Sequence, residues 1–285
     1  MSRIAYVNGR YVRFAHAAVS IEDRAFQFGD GIYEVCEVRG GLLIDERRHL
    51  DRLRSSLEAL RIAAPVGAVA LRQILREVVA KNRVRDGIAY VQISRGVARR
   101  DHGFPTASVR PGLVVSARSL DPRLGQANAE RGVRVVTTAD ERWAHPHIKT
   151  LQLLPNVLAK QAAREAGATE AWLVDGAGYI TEGSSTNAWI VAENGVLVTR
   201  PADRTILRGV TRMTLLDVVA HEGVAFEERA FTLQEAYRAR EAFYSSATTI
   251  ATPVVAIDGR RIGDGTPGPV TLALRRQFHD AAERG

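Results

Sequence analysis

Leu50, Leu53, Leu57 and Leu60 recur at three- and four-residue spacing with charged residues between them. That is the mark of one buried helix face, and it predicts a helix over about Arg47 to Arg61. A second apolar-periodic run predicts another from about Val66 to Lys81. On either side of this pair the period falls to two. Around Asn8-Gly9, a dipeptide suited to a tight hairpin turn, IAYV and RYV read as paired strands. IYEVCEVRGGLLI alternates and turns at Gly40-Gly41, with Tyr33 on one face. AYVQISRGV and GLVVSARSL are further strands, separated by an irregular loop over 98–105. Residues 1–45 are therefore expected to hold only strands and turns.

SLDPRLGQA, over 119–127, reads as a linker. It divides a small N-terminal α/β domain, 1–118, from a larger C-terminal one, 128–285. Beyond it, VRVVTT is a strand, and a junction around Lys149 leads into a helix ending near Ala166. The stretch from Ala171 to Thr199 reads as a meander turning at Asp175-Gly176 and Asn194-Gly195. Ile206 to Arg212 opens a helix running to about Glu222. A short helix near 233–240 precedes a strand pair that turns at Asp258-Gly259, and Pro267 to Glu283 closes the chain as a helix. The fold class is mixed: α/β with α+β character.

Composition changes this picture little. With 46% hydrophobic and 25% charged residues in 285 positions, there is apolar material for a sizeable core. No apolar run approaches the ~20 residues that a membrane-spanning helix needs. MSRIAYVNGRYV lacks the apolar centre of a secretory signal. Cys36 is the only cysteine, so no internal disulfide can form, which fits a reducing, cytoplasmic setting. The net charge of +7 raises the possibility of a basic nucleic-acid-binding protein. Against it, the arginines are scattered, often beside Asp or Glu as in DERRHLDRLR, and no basic stripe carries interleaved aromatics. An anionic small substrate suits the charge as well. No nucleic-acid or membrane partner is expected.

Lysine is scarce, occurring only at Lys81, Lys149 and Lys160. Chemistry that needs a primary amine thus has few candidates. Lys81 reads as a solvated helix end and Lys160 as an exposed helical residue. Lys149 sits at a strand-to-helix junction, its stem beside Ile148 and Leu151. Partial desolvation at such a place lowers a lysine pKa and frees the lone pair for imine formation, although by itself Lys149 reads more simply as a surface lysine on a loop. Further along, Leu207-Arg208-Gly209-Val210-Thr211 turns into a helix and offers backbone N–H groups to a phosphate. Glu182, in TEGSSTN, is a carboxylate at the mouth of a strand entering the core through Trp189 and Ile190. It could keep a pyridine nitrogen protonated. Arg52, in HLDRL, reads most simply as part of a solvated helix face.

FGDGIYEV, HLDRL, RRDHGFP, IKTLQLLPNVLAKQ, TEGSSTN, ILRGVTR and TPV follow one another in the order of a known family. From about Tyr6 to Gly259 the chain resembles the class IV aminotransferases, fold-type-IV enzymes that use pyridoxal 5′-phosphate. It is most similar to their D-amino-acid transaminases. The resemblance implies two α/β domains with the active site between them, the C-terminal one carrying the cofactor lysine. It implies Lys149 as the Schiff-base lysine, Glu182 at the pyridine nitrogen and Arg52 at the phosphate. Val210 and Thr211 match phosphate-binding backbone amides, Leu207 the side chain against the ring, and Tyr33 an active-site tyrosine. Arg100 and His102 match the pair that captures the substrate carboxylate from a neighbouring subunit, which implies a homodimer. Where the family has a phosphate-binding threonine this chain has Ala247, leaving Ser246 or Thr248 to supply the hydroxyl. A lost donor of that kind costs about 0.5–1.5 kcal/mol.

The implied reaction moves an amino group between a D-amino acid, such as D-alanine or D-glutamate, and 2-oxoglutarate or pyruvate. The same scaffold also serves branched-chain L-aminotransferases, R-selective amine transaminases and aminodeoxychorismate lyases, and these remain alternatives at this point.

Overall fold

The alternation in IYEVCEVR forms a strand whose even-numbered side chains, among them Glu34, Cys36 and Val38, are buried while Tyr33, Val35 and Glu37 are half-buried. The structure, a computed structural model, describes residues 3–106 and 108–285. Contacts divide it into two units. The first comprises Met1–Asp121, Ile148–Gln152 and Glu283–Gly285. Its elements are β1 (Ile4–Val7), β2 (Arg10–Arg13), α1 (Arg24–Phe28), β3 (Gly31–Arg39) and β4 (Leu42–Leu43). They continue with α2 (Glu46–Ala59), α3 (Ala68–Lys81), β5 (Gly87–Ser94) and β6 (Gly112–Ser119).

The six strands form one antiparallel sheet in the order β2-β1-β6-β5-β3-β4. Helix α2 buries Leu53 and Leu57, and α3 buries Leu75 and Val78, against the sheet. Truncating any of these leucines to alanine would cost about 2–5 kcal/mol. Helix α1 stands where only strands and turns are expected. Asp23 caps it by accepting from Ala25 N at 2.8 Å, and Gly29 closes it in the left-handed region at φ 67°. Five residues are too few for a helical period to show.

The second unit comprises Pro122–His147 and Leu153–Ala282. It begins with α4 (Pro122–Arg131), β7 (Val133–Ala139), α5 (Leu154–Glu165), β8 (Glu170–Val174) and β9 (Ile180–Gly183). Next come β10 (Asn187–Val191), β11 (Leu197–Thr199), α6 (Val210–Glu222), β12 (Phe226–Glu228) and α7 (Leu233–Arg238). The last elements are β13 (Glu241–Ser246), β14 (Ile250–Ile257), β15 (Arg260–Arg261) and α8 (Pro269–Ala281). A nine-stranded mixed sheet runs β12-β11-β10-β13-β14-β7-β8-β9, with β15 beside β14. Trp172, Phe231, Ile180, Ile190 and Tyr244 fill one core cluster of this unit.

Two boundaries differ from the expected domain division. The stretch 119–127, read as a linker, contains the start of α4. Pro122 is the first residue of that helix, which buries Ala129. Gly125 in its middle disguises the period. The segment Ile148–Gln152, with Lys149, groups with the first unit and not with the later residues around it. Backbone pairing with β3 is the reason.

Candidate active site

Strand β4 covers only Val38 and Arg39 of one edge of β3. The lysine segment covers the start of that edge. Thr150 bridges Ile32, Leu151 N donates to Gly31 O at 3.1 Å, and Tyr33 N donates to Lys149 O at 3.1 Å. Lys149 N donates to Ser56 Oγ of α2 at 3.3 Å. Gly31 permits this approach: a Cβ there would lie 2.5 Å from Ile93 O and 2.8 Å from Leu151 Cδ1. The result sets Lys149 Nζ 3.3 Å from the Tyr33 hydroxyl and 4.4 Å from the centroid of its ring. Tyr33 in turn stacks on Tyr90 at 5.8 Å. Burial, helped by the neighbouring Tyr33, pushes the Tyr90 phenol up to about 12, so it stays a donor, to Gln92 Oε1 at 2.7 Å.

The other two lysines are engaged elsewhere. Lys81 ends α3, exposed, 5.0 Å from the Tyr11 ring. Lys160 is not the exposed residue expected. It is half-buried, donates to Thr169 O at 2.7 Å and pairs with the buried Glu170 at 3.2 Å. Burial of Glu170 in β8 is invisible to the local pattern around Lys160.

Arg52 likewise leaves the solvated face. Its Nε and Nη2 donate to Glu34 at 2.6 and 2.8 Å, and His49 Nδ1 lies 2.8 Å from the same carboxylate. Burial alone would raise the Glu34 carboxyl. The charge and hydrogen bonds of Arg52, then His49, outweigh it and hold Glu34 well below the usual carboxylate range. A depressed folded-state value means that the stabilisation is present above the ordinary glutamate value of 4.5 and is lost as pH falls towards the folded one. In the cofactor-free protein Glu34→Gln should therefore lower stability by about 3 kcal/mol near neutrality, because the largely buried Arg52 loses its counter-charge. Denaturant melts should show the gap between the two proteins narrowing as pH drops below about 4.

The loop after β5 carries Arg100 and His102, both exposed. Each lies against Phe28 of α1: the Arg100 guanidinium 5.2 Å and the His102 ring 5.5 Å from its centroid.

In the second unit, Glu182 is the last residue but one of β9 and is 4% exposed. Its carboxylate pairs with Arg142 Nη1, and accepts from Asn187 Nδ2 at 2.9 Å and from Leu207 N at 3.0 Å. Arg142 is the residue that reading the sequence missed. Asp140 grips it at 2.9 and 2.7 Å. Burial would lower the Arg142 guanidinium, but Asp140 and Glu182 raise it above its ordinary value, so it is a permanent cation beside Glu182. An Asp-x-Arg triplet at a strand end was the available signal, and it looks like any solvated turn. Gly209 lets Asn187 in, since a Cβ there would overlap Asn187 Oδ1. Gly209 also starts α6 with no side-chain cap, so the first-turn amides at Val210 and Thr211 have no capping side chain. Both residues are buried. Helix α6 packs on β13. At the end of β13, Ser246 Oγ lies 3.2 Å from Thr248 Oγ1 and 2.9 Å from Thr249 Oγ1 in the turn that follows, around the half-buried Ala247. Uncapped amides and clustered hydroxyls are a donor set suited to a phosphate, and a carboxylate held by three donors is suited to a ring N–H. These residues fit pyridoxal phosphate. Among the described residues no His/Cys/Asp/Glu group could hold a metal ion.

Known proteins resemble this chain over nearly its whole length. A D-alanine aminotransferase of Bacillus licheniformis is 40% identical over 274 residues, 96% of this chain and 95% of that one. The solved branched-chain amino acid aminotransferase of Escherichia coli superposes with a TM-score of 0.91 at 25% identity, covering 98% of this chain and 94% of that one. A second solved branched-chain amino acid aminotransferase, from T.th. and with pyridoxamine 5′-phosphate, gives 0.91 at 27%, with coverage of 98% and 94%. The model of the family described as Amino-transferase class IV matches residues 31–257, the span that holds every candidate residue above, and the chain belongs to that family.

Proposed function

We propose that the protein is a pyridoxal-phosphate-dependent D-amino-acid transaminase, moving an amino group between a D-amino acid and a 2-oxo acid. The observation that carries this is the 40% identity to a D-alanine aminotransferase across 96% of the chain. It exceeds the 25% and 27% identity to branched-chain enzymes of the same fold. Those neighbours make a branched-chain L-aminotransferase the second reading.

Bound pyridoxal phosphate supplies an aldehyde that condenses with amines and a ring that accepts the electron pair left on the substrate α-carbon. Lys149 would be the residue that holds the aldehyde, and its Nζ would take up and return the substrate α-proton. The Tyr33 hydroxyl, 3.3 Å away, orients that amine. Glu182 receives the ring N–H, backed by the fixed charge of Arg142. Arg52, the amides of Val210 and Thr211, and Thr248 would hold the phosphate, and Leu207 would pack against the ring. Arg100 and His102 grip the substrate carboxylate by charge-assisted hydrogen bonds. They do so at a site in a second copy, so the working unit is a homodimer. A cytoplasmic location belongs to the same reading. Among the described residues no helix is long and apolar enough to cross a membrane.

An enantiomer-resolved donor screen tests the reading. With 2-oxoglutarate or pyruvate as acceptor, D-alanine or D-glutamate should be consumed, and L-leucine and an arylalkylamine should not. Preference for L-leucine would move the protein to the branched-chain reading.

A further inference from the structure

Asp30 is the last residue before β3, and its carboxylate holds two arginines at once. Oδ2 accepts from Arg24 Nε at 2.8 Å and from Arg95 Nε at 2.8 Å, and Oδ1 accepts from Arg95 Nη2 at 3.0 Å. Both guanidinium groups are nearly buried, with side chains 4% and 10% exposed. Burial would raise the Asp30 carboxyl, but Arg95 and Arg24 outweigh it and keep it below its ordinary value.

Each arginine then reaches the loop after β5. Arg24 Nη1 donates to Asp101 O at 2.6 Å, the carbonyl between Arg100 and His102. The Arg24 guanidinium also lies 4.8 Å from the Phe28 ring, which Arg100 and His102 flank as well. The Arg95 guanidinium lies 3.7 Å from the ring of Phe104, and Arg61 lies 4.9 Å from that ring. Arg95 is itself anchored just past the end of α2, donating to Leu60 O and Arg61 O at 2.9 and 3.0 Å. One residue on from Asp30, Gly31 O receives the lysine segment from Leu151 N and Thr150 Oγ1.

We propose that Asp30 is a positioning residue: through Arg24 and Arg95 it clamps the 99–105 loop, with Phe104 as the loop's anchor, and so fixes Arg100 and His102 for the substrate carboxylate. The clamp and the lysine segment share two consecutive residues, Asp30 and Gly31. This copy's reactive amine and the loop it offers to the second copy are thereby registered to the same strand start. The inference rests on the proposed role of Arg100 and His102, and its test separates the two.

The variants are Phe104→Ala, Phe104→Tyr and Asp30→Asn, made in the holoenzyme, with Arg100→Ala as control. Phe104 is half exposed on a loop, so its truncation leaves the core intact. For the best D-amino-acid donor, Phe104→Ala should raise KM about tenfold, equivalent to ~1.4 kcal/mol, with a smaller change in kcat. The cofactor's absorption band should not move. Trypsin should cut after Arg99 or Arg100 faster than in the parent. Phe104→Tyr keeps a ring over Arg95 and should restore both KM and trypsin resistance. Asp30→Asn should shift KM and cleavage in the same direction as Phe104→Ala; if it does not fold, the Phe104 pair decides. Parental KM and cleavage in Phe104→Ala, with KM raised in Arg100→Ala, would overturn the clamp alone. Parental KM in Arg100→Ala as well would overturn the loop's substrate role together with it.

Discussion

Lys149→Ala is expected to lower transamination by about four orders of magnitude, the upper end for loss of a general acid–base, because imine carrier and proton shuttle go together. The protein should still fold. The Nζ contacts are with the hydroxyl and ring face of Tyr33, and the segment's backbone bonds to β3 need no side chain. Far-ultraviolet circular dichroism and the thermal midpoint should stay near the parent's. Cofactor still bound should be removable by dialysis. A small added amine should restore part of the rate, since it replaces the missing proton carrier. Full activity in this variant would end the assignment.

Glu182→Gln should be the next most damaging change, lowering kcat by about a hundredfold, the usual effect of removing one preorganised electrostatic contact. The Glu182 carboxylate accepts from Arg142 Nη1, Asn187 Nδ2 and Leu207 N. A glutamine amide would turn its own NH2 towards one of these donors. Asn187 cannot flip without cost, because its Nδ2 also donates to Leu207 O at 3.0 Å. The variant should therefore hold the cofactor less tightly as well as turn over slowly. Spectrophotometric titration with pyridoxal phosphate and steady-state kinetics measure the two effects separately. A variant that turns over slowly but binds the cofactor as the parent does would confine Glu182's role to the chemical step.

Local pattern carried the reading of the fold where neighbours in sequence are neighbours in space. Leucine spacing located α2 within two residues at each end, and Asn8-Gly9 located the β1–β2 turn. It failed where the partner is remote. Arg52 looks solvated until Glu34 is seen beside it, and Lys160 looks free until the sheet brings up Glu170. The grouping of Ile148–Gln152 with the first unit depends on pairing with β3, more than a hundred residues earlier, which no window of sequence contains. Short elements failed for another reason: α1 has too few residues for periodicity, and α4 hides its period behind Gly125.

The candidate site was legible to different depths. The scarcity of lysine and its place at a junction made Lys149 a candidate, but by itself it reads more simply as a surface loop lysine, and the other motifs were needed to single it out. Glu182 was readable as a carboxylate able to face a pyridine nitrogen, while Arg52, Arg100 and His102 took their roles from resemblance alone. Arg142 was reachable by neither route, since its importance lies in meeting Glu182 forty residues on. The Asp30 clamp was also out of reach: FGDGIYEV entered only as a family motif, and only the folded chain shows its aspartate gripping Arg24 and Arg95.

Borohydride reduction of the yellow protein, followed by peptide mapping, tests the central assignment most directly. A single pyridoxyl label on the peptide containing Lys149 is the expected result. A label on Lys81 or Lys160, or no label at all, would contradict it.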